Sequence, residues 1–134
     1  MKIEGGQVVA VGIDLVEIAR IRSAHQKHGA AFLDKIFTPA EQAYCLAKAN
    51  PYPSLAARFA AKEAMSKALG TGIGEDFLLT SLSVHSLETG EPVPMLDAKA
   101  QASMERKGAT KVLLSLTHTD DLAQAFVVLV RETI

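Results

Sequence analysis

The chain has 134 residues, enough for one domain with a real core, expected here to span 1–134. With 49% hydrophobic and 22% charged residues and a net charge of −1, it has ordinary globular composition and no overall electrostatic pull towards nucleic acid. The lone cysteine, Cys45, excludes an internal disulfide framework and fits a reducing compartment. No basic-then-apolar leader and no membrane-length apolar run is visible, so a cytoplasmic protein off the membrane is expected.

The first element in chain order is "QVVAVGID", a continuous β-prone apolar run that predicts a strand buried on both faces and ending at Asp14. "LVEIARIRSAHQKHG" follows with helical spacing, Val16, Ile18 and Ile21 facing inward and Gly29 as the stop. "TPAEQAYCLAKA" begins a second helix: Thr38 as N-cap, Pro39 at the first helical position and Glu41 two places later complete a capping box. A two-proline connection leads to "RFAAKEAMSKALG", the third predicted helix, with Gly70 as C-cap. Stepping roughly 100° per residue, Ala56, Ala57, Ala60, Ala61, Ala64 and Ala68 cover one side of it. The other side interleaves Leu55, Phe59, Met65 and Leu69 with Arg58, Lys62 and Ser66, and Glu63 and Lys67 lie at the seam. "FLLTSLSVHSL" and "PVPML" flank the turn "ETGE" as two short strands. "DAKAQASMERKG" is a polar helix, and "KVLLSLT" and "LAQAFVVLVRE" are two strands joined across "HTDD". Segregated helices and hairpins predict an α+β fold with a mainly antiparallel sheet, packed closely against the alanine side of the long helix.

Asp14 reads either as a turn residue or as a functional carboxylate placed by a strand end. Glu63 and Lys67 form an i,i+4 pair of the kind worth roughly 0.3–0.5 kcal/mol on a solvated helix face. This helix has no cleanly polar face, and charges among large apolar groups are costly to bury unless paired or ligand-bound. Asp14 and Glu63 together suit a hard cation, since Mg²⁺ takes one or two carboxylates and completes its octahedron with water and phosphate oxygens. "GTGIG" (70–74) lacks phosphate-loop spacing and reads first as a C-cap and turn. His118 and Thr119 end a strand, where a histidine is either a turn residue or a donor to a bound phosphate. Arg20, Arg22, His25, Lys27 and His28 form a local basic patch, a solvated face or a docking surface for an acidic partner.

Taken in order, "VGIDLVEIARI", "FTPAE", "RFAAKEAMSKALGTGIG" and "LSLTHTDDLAQAFVVL" make the chain resemble the holo-acyl-carrier-protein synthases, the small trimeric 4′-phosphopantetheinyl transferases, over nearly its whole length. The resemblance implies transfer of 4′-phosphopantetheine from coenzyme A to a serine of apo-acyl carrier protein for fatty acid biosynthesis, with release of adenosine 3′,5′-bisphosphate. It implies Asp14 and Glu63 as ligands of Mg²⁺, for which Mn²⁺ can substitute, and Lys67 as the active-site lysine. Arg58, His118 and Thr119 match positions near the coenzyme's phosphates. With sites in clefts between subunits of a homotrimer, the mixed side of the long helix, Lys62 and Ser66 included, is expected to face an anionic ligand. Arg20, with Arg22 beside it, falls where carrier protein docks. The family's Gly-Lys-Pro turn is Gly90-Glu91-Pro92 here, an anion for a cation. Two other readings use the same residues: a metal-dependent pyrophosphohydrolase of coenzyme A or a nucleotide, and a non-catalytic carrier-binding module.

Overall fold

The computed structural model describes residues 2, 3 and 5–133. Its centre is strand β6 (Leu122–Glu132), paired antiparallel with β2 (Gly6–Glu17) on one side and β5 (Lys111–His118) on the other. A short β1 (Lys2–Ile3) adds to the outer edge of β2, giving the order β1-β2-β6-β5. A separate hairpin, β3 (Leu82–Ser86) with β4 (Pro92–Leu96), forms a two-stranded antiparallel sheet. The expected α+β class, an antiparallel sheet against an alanine-rich helix, is the architecture found.

That helix, α4 (Tyr52–Leu69), lies across β2 and β6 and ends at Gly70, whose φ of 75° gives the left-handed cap that glycine adopts without strain. All six of its alanines are buried. The strands meet them with small side chains of their own, Ala123 and Ala125 on β6 and Gly12 on β2. At Gly12 the approach is closest: a Cβ there would stand 2.0 Å from the carbonyl oxygen of Ala64 and 3.0 Å from the amide nitrogen of Ala68. Backbone thus rests on backbone.

Two expectations about β2 are corrected. The strand does not end at Asp14; Leu15, Val16 and Glu17 continue the ladder opposite Gln124, Ala123 and Leu122, so Asp14 sits inside a paired strand opposite Ala125. Nor is β2 buried on both faces in this chain. Gly12, Asp14 and Val16 face the helix, whereas Val11, Ile13 and Leu15 point away and are each more than half exposed. Phe126, opposite Ile13, and Leu113 on β5 extend this open apolar face across three strands.

Helix α1 (Ile18–His28) stops at Gly29 as expected, with Ile18 and Ile21 buried. A further short helix, α2 (Ala30–Ile36), was not legible in the periodicity; it buries Leu33 and Ile36. The capping box at Thr38 and Glu41 opens α3 (Pro39–Leu46). Helix α5 (Ala98–Lys107) is capped by Asp97 and closed by Gly108. Among the described residues, no helix is long and apolar enough to cross a membrane.

Glu41 does more than cap. Its Oε1 accepts from Lys62 Nζ at 2.7 Å, and its Oε2 accepts from the backbone N–H of Val84 at 2.9 Å. Lys62 also donates to the carbonyl of Leu82. Both side chains are fully buried. Burial pushes the Lys62 ammonium down from its usual range, and Glu41 opposes that shift. This network ties α3, α4 and β3 together, which overturns the expectation that Lys62 faces an anionic ligand.

Denaturant unfolding checks both the close approach at Gly12 and the buried Lys62–Glu41 pair. Gly12→Ala should cost about 3 kcal/mol, the upper end of overpacking, because the obstacle is backbone. Gly74→Ala, whose Cβ meets nothing within 4 Å, should stay within about 0.5 kcal/mol of wild type. Lys62→Met should lose about 3 kcal/mol by leaving Glu41 buried and unpaired, and Glu41→Gln in the same chain should restore part of that loss.

Candidate active site

Because Gly12 seats β2 against Ala64 and Ala68, the residues just before those alanines, Glu63 and Lys67, flank the strand where Asp14 points towards the helix. Lys67 Nζ donates to Asp14 Oδ1 at 2.9 Å and to the Ile13 carbonyl at 3.0 Å. The lysine side chain is 54% exposed and the aspartate 17%. Glu63 is half-buried beside them. Its carboxyl is pushed above the ordinary glutamate range, first by burial and then by the negative charge of Asp14, with Lys67 pulling partly the other way. Two carboxylates and one ammonium from distant stretches of chain therefore meet at one point.

Asp14 and Glu63 line a cleft of about 390 Å³ whose wall is apolar at Ile21, Phe32 and Phe59 and whose rim carries Arg20. Phe32 comes from α2, so this wall was not foreseen. Arg22, grouped with Arg20 in the sequence, behaves differently: its guanidinium lies 5.1 Å from the centre of the Tyr52 ring. The Tyr52 hydroxyl in turn bonds His25 Nδ1 at 3.0 Å.

The other candidates lie elsewhere. Arg58 is buried, donating to the Val84 carbonyl at 3.1 Å and to Ser86 Oγ at 2.9 Å, with Tyr44 stacked 4.7 Å from its guanidinium carbon. Ser66 is buried with its hydroxyl folded back onto the Glu63 carbonyl at 2.8 Å, so the expectation that it faces a ligand is corrected along with that for Lys62. His118 and Thr119 are exposed at the β5–β6 turn, where Thr119 Oγ1 accepts from the amides of Asp121 and Leu122. They border a second depression of about 180 Å³ with Leu15, Leu122 and Gln124, which shares only Leu15 with the Asp14 cleft. Within one chain, then, Asp14, Glu63 and Lys67 come together, Arg20 stands at their cleft, and His118 and Thr119 do not join them. Glu91 is exposed and lines a groove with Lys111.

Among the described residues no third His, Cys, Asp or Glu converges on Asp14 and Glu63. The donor set is two carboxylates at one cleft, Asp14 and Glu63, which suits a hard divalent cation that brings further oxygen ligands with its substrate.

Comparison with known proteins gives the family. The family model described as the 4′-phosphopantetheinyl transferase superfamily matches residues 10–127. The holo-[acyl-carrier-protein] synthase of Chlamydia trachomatis serovar L2 is 46% identical over 115 residues, covering 86% of this chain and 93% of that protein. The crystal structure of holo-[acyl-carrier-protein] synthase from Neisseria meningitidis superposes with a TM-score of 0.84 at 33% identity, covering 92% of this chain and 98% of that one. The Helicobacter pylori holo-[acyl-carrier-protein] synthase, solved in complex with coenzyme A, gives a TM-score of 0.78 at 31% identity over 89% of this chain and 98% of that one. The chain belongs to the 4′-phosphopantetheinyl transferase superfamily, among its holo-[acyl-carrier-protein] synthases.

Proposed function

We propose that this enzyme transfers 4′-phosphopantetheine from coenzyme A to a serine hydroxyl of apo-acyl carrier protein, depends on Mg²⁺, and releases adenosine 3′,5′-bisphosphate. The observation that carries the reading is the meeting of Asp14, Glu63 and Lys67 beside a cleft rimmed by Arg20. In the reaction the serine oxygen bonds to the β-phosphorus of the coenzyme, the bridging P–O bond breaks, and charge gathers on the departing adenosine bisphosphate. Asp14 and Glu63 would hold the metal, which would supply Lewis-acid chemistry to the diphosphate. Lys67 neutralises charge on the transferred phosphate. Arg20 at the cleft rim meets the acidic carrier protein, while Arg22, held over Tyr52, supports α1 as well as its charge. The buried free thiol of Cys45 fits work in the cytoplasm.

The site is completed by a homotrimer. The open row of Val11, Ile13, Leu15, Leu113 and Phe126 is an apolar surface that favours cover by further subunits. His118 and Thr119 border this same face, so association is what brings them towards the phosphates of a coenzyme bound at another subunit's Asp14.

Intact mass spectrometry after incubation with coenzyme A, Mg²⁺ and apo-carrier tests the reaction. Transfer adds one phosphopantetheine to the carrier; hydrolysis consumes coenzyme A without that addition; a binding module does neither. Asp14→Ala and Glu63→Ala should each lower kcat/KM by about 100-fold or more while the oligomer stays folded. Raised Mg²⁺ or added Mn²⁺ should recover part of the loss, and EDTA should silence the wild type. Phe126→Glu places a charge on the open face: light scattering at micromolar concentration should show monomers, and transfer should fall although Asp14, Glu63 and Lys67 are intact. A wild-type monomer with full activity would refute the shared site.

A further inference from the structure

Resting on the proposed metal- and coenzyme-dependent reading, we infer that Lys67 is an exchangeable cation: its ammonium holds Asp14 in the free enzyme and passes to the diphosphate on substrate binding, so that metal and coenzyme A bind in mutual dependence. Three observations carry this. Lys67 Nζ is on Asp14 Oδ1 at 2.9 Å and on the Ile13 carbonyl at 3.0 Å, so the proposed metal ligand already has a positive partner of its own. The lysine is more than half exposed, on a flexible four-carbon stem, and is not among the residues lining the Asp14–Glu63 cleft, so its head can swing without disturbing the core. Among the described residues only two acidic side chains meet there, too few to hold a hard divalent ion tightly without oxygens from the substrate.

The consequence is a built-in order. With no diphosphate present, a divalent ion must compete with Lys67 for Asp14. A diphosphate offers the ammonium a more strongly charged partner and supplies the missing oxygen ligands in the same event. Asp14 is never left beside Glu63 without a nearby cation.

The test is Mn²⁺ binding followed by electron paramagnetic resonance, with and without saturating coenzyme A, on full-length wild type and Lys67→Met, which keeps most of the stem's bulk. In wild type, coenzyme A should raise Mn²⁺ affinity at least fivefold. Lys67→Met should bind Mn²⁺ about 5- to 10-fold more tightly than wild type without coenzyme, since the competing charge is gone. The enhancement by coenzyme should shrink by a similar factor. Unchanged or weaker Mn²⁺ binding by free Lys67→Met overturns the exchange. So does tighter binding with an undiminished enhancement, the signature of a lysine that repels the metal equally in both states and never moves. Wild type that binds no Mn²⁺ even with coenzyme A overturns the metal-dependent reading itself, a result distinct from either.

Discussion

Everything at the site depends on the seating of Gly12 against the backbone of α4. A side chain at that position would meet the Ala64 carbonyl oxygen at 2.0 Å, so any larger residue forces strand and helix apart. Because the alanine side of α4 keeps the separation small along β2 and β6, the residue two places beyond Gly12 on the same strand face arrives beside the residues that precede Ala64 and Ala68. The backbones that carry Asp14, Glu63 and Lys67 are thus held by elements buried in the core rather than by loops, so the two carboxylates inherit the stiffness of a close-packed interior while the exposed Lys67 head keeps its freedom.

Charges mixed with large apolar groups on α4 have two different causes. Lys62 and Arg58 are turned inward and matched within the chain, by Glu41 and the Leu82 carbonyl in one case and by the Val84 carbonyl, Ser86 and Tyr44 in the other. They tie the β3 hairpin and α3 to the helix. Glu63 and Lys67 are the pair that faces Asp14. Helical periodicity puts Arg58 and Lys62 on the mixed side and Glu63 and Lys67 at the seam, yet it cannot say which are matched within the chain, because that depends on partners 14 or more positions away in sequence. The capping box identified one role of Glu41, and its second, buried role had no local signature. Ser66 was misread for a related reason: a serine inside a helix has the preceding turn's carbonyl within reach, and the structure shows that bond.

Local signals carried most of the fold. The caps at Thr38, Gly29 and Gly70 and the turns at ETGE and HTDD all predict elements that are present. Two features escaped. Helix α2 is too short for its periodicity to stand out, and with it went Phe32 and the apolar wall of the cleft. The other is the open face of β2. A continuous run of apolar residues says that both faces avoid water, but not whether the second face is covered by the same chain or by another copy. In this chain α4 covers one face only, so the continuous run predicts more burial than a single chain provides.

On the proposed reading, that open face is also where a chain of this size would complete a site for a large, anionic substrate. The carboxylates and Lys67 stand on one side of β2, while His118 and Thr119 sit by the face that lacks a cover. If copies of the chain close over Val11, Ile13, Leu15 and Phe126, the hydrophobic association that stabilises the assembly is the same event that would gather the groups proposed to meet the phosphates. Folding of one subunit brings Asp14, Glu63 and Lys67 together, and the proposed assembly would add His118 and Thr119. On that proposed reading, a mutation on the open face lowers activity without touching a group that contacts substrate, and one at Gly12 does so from within the core.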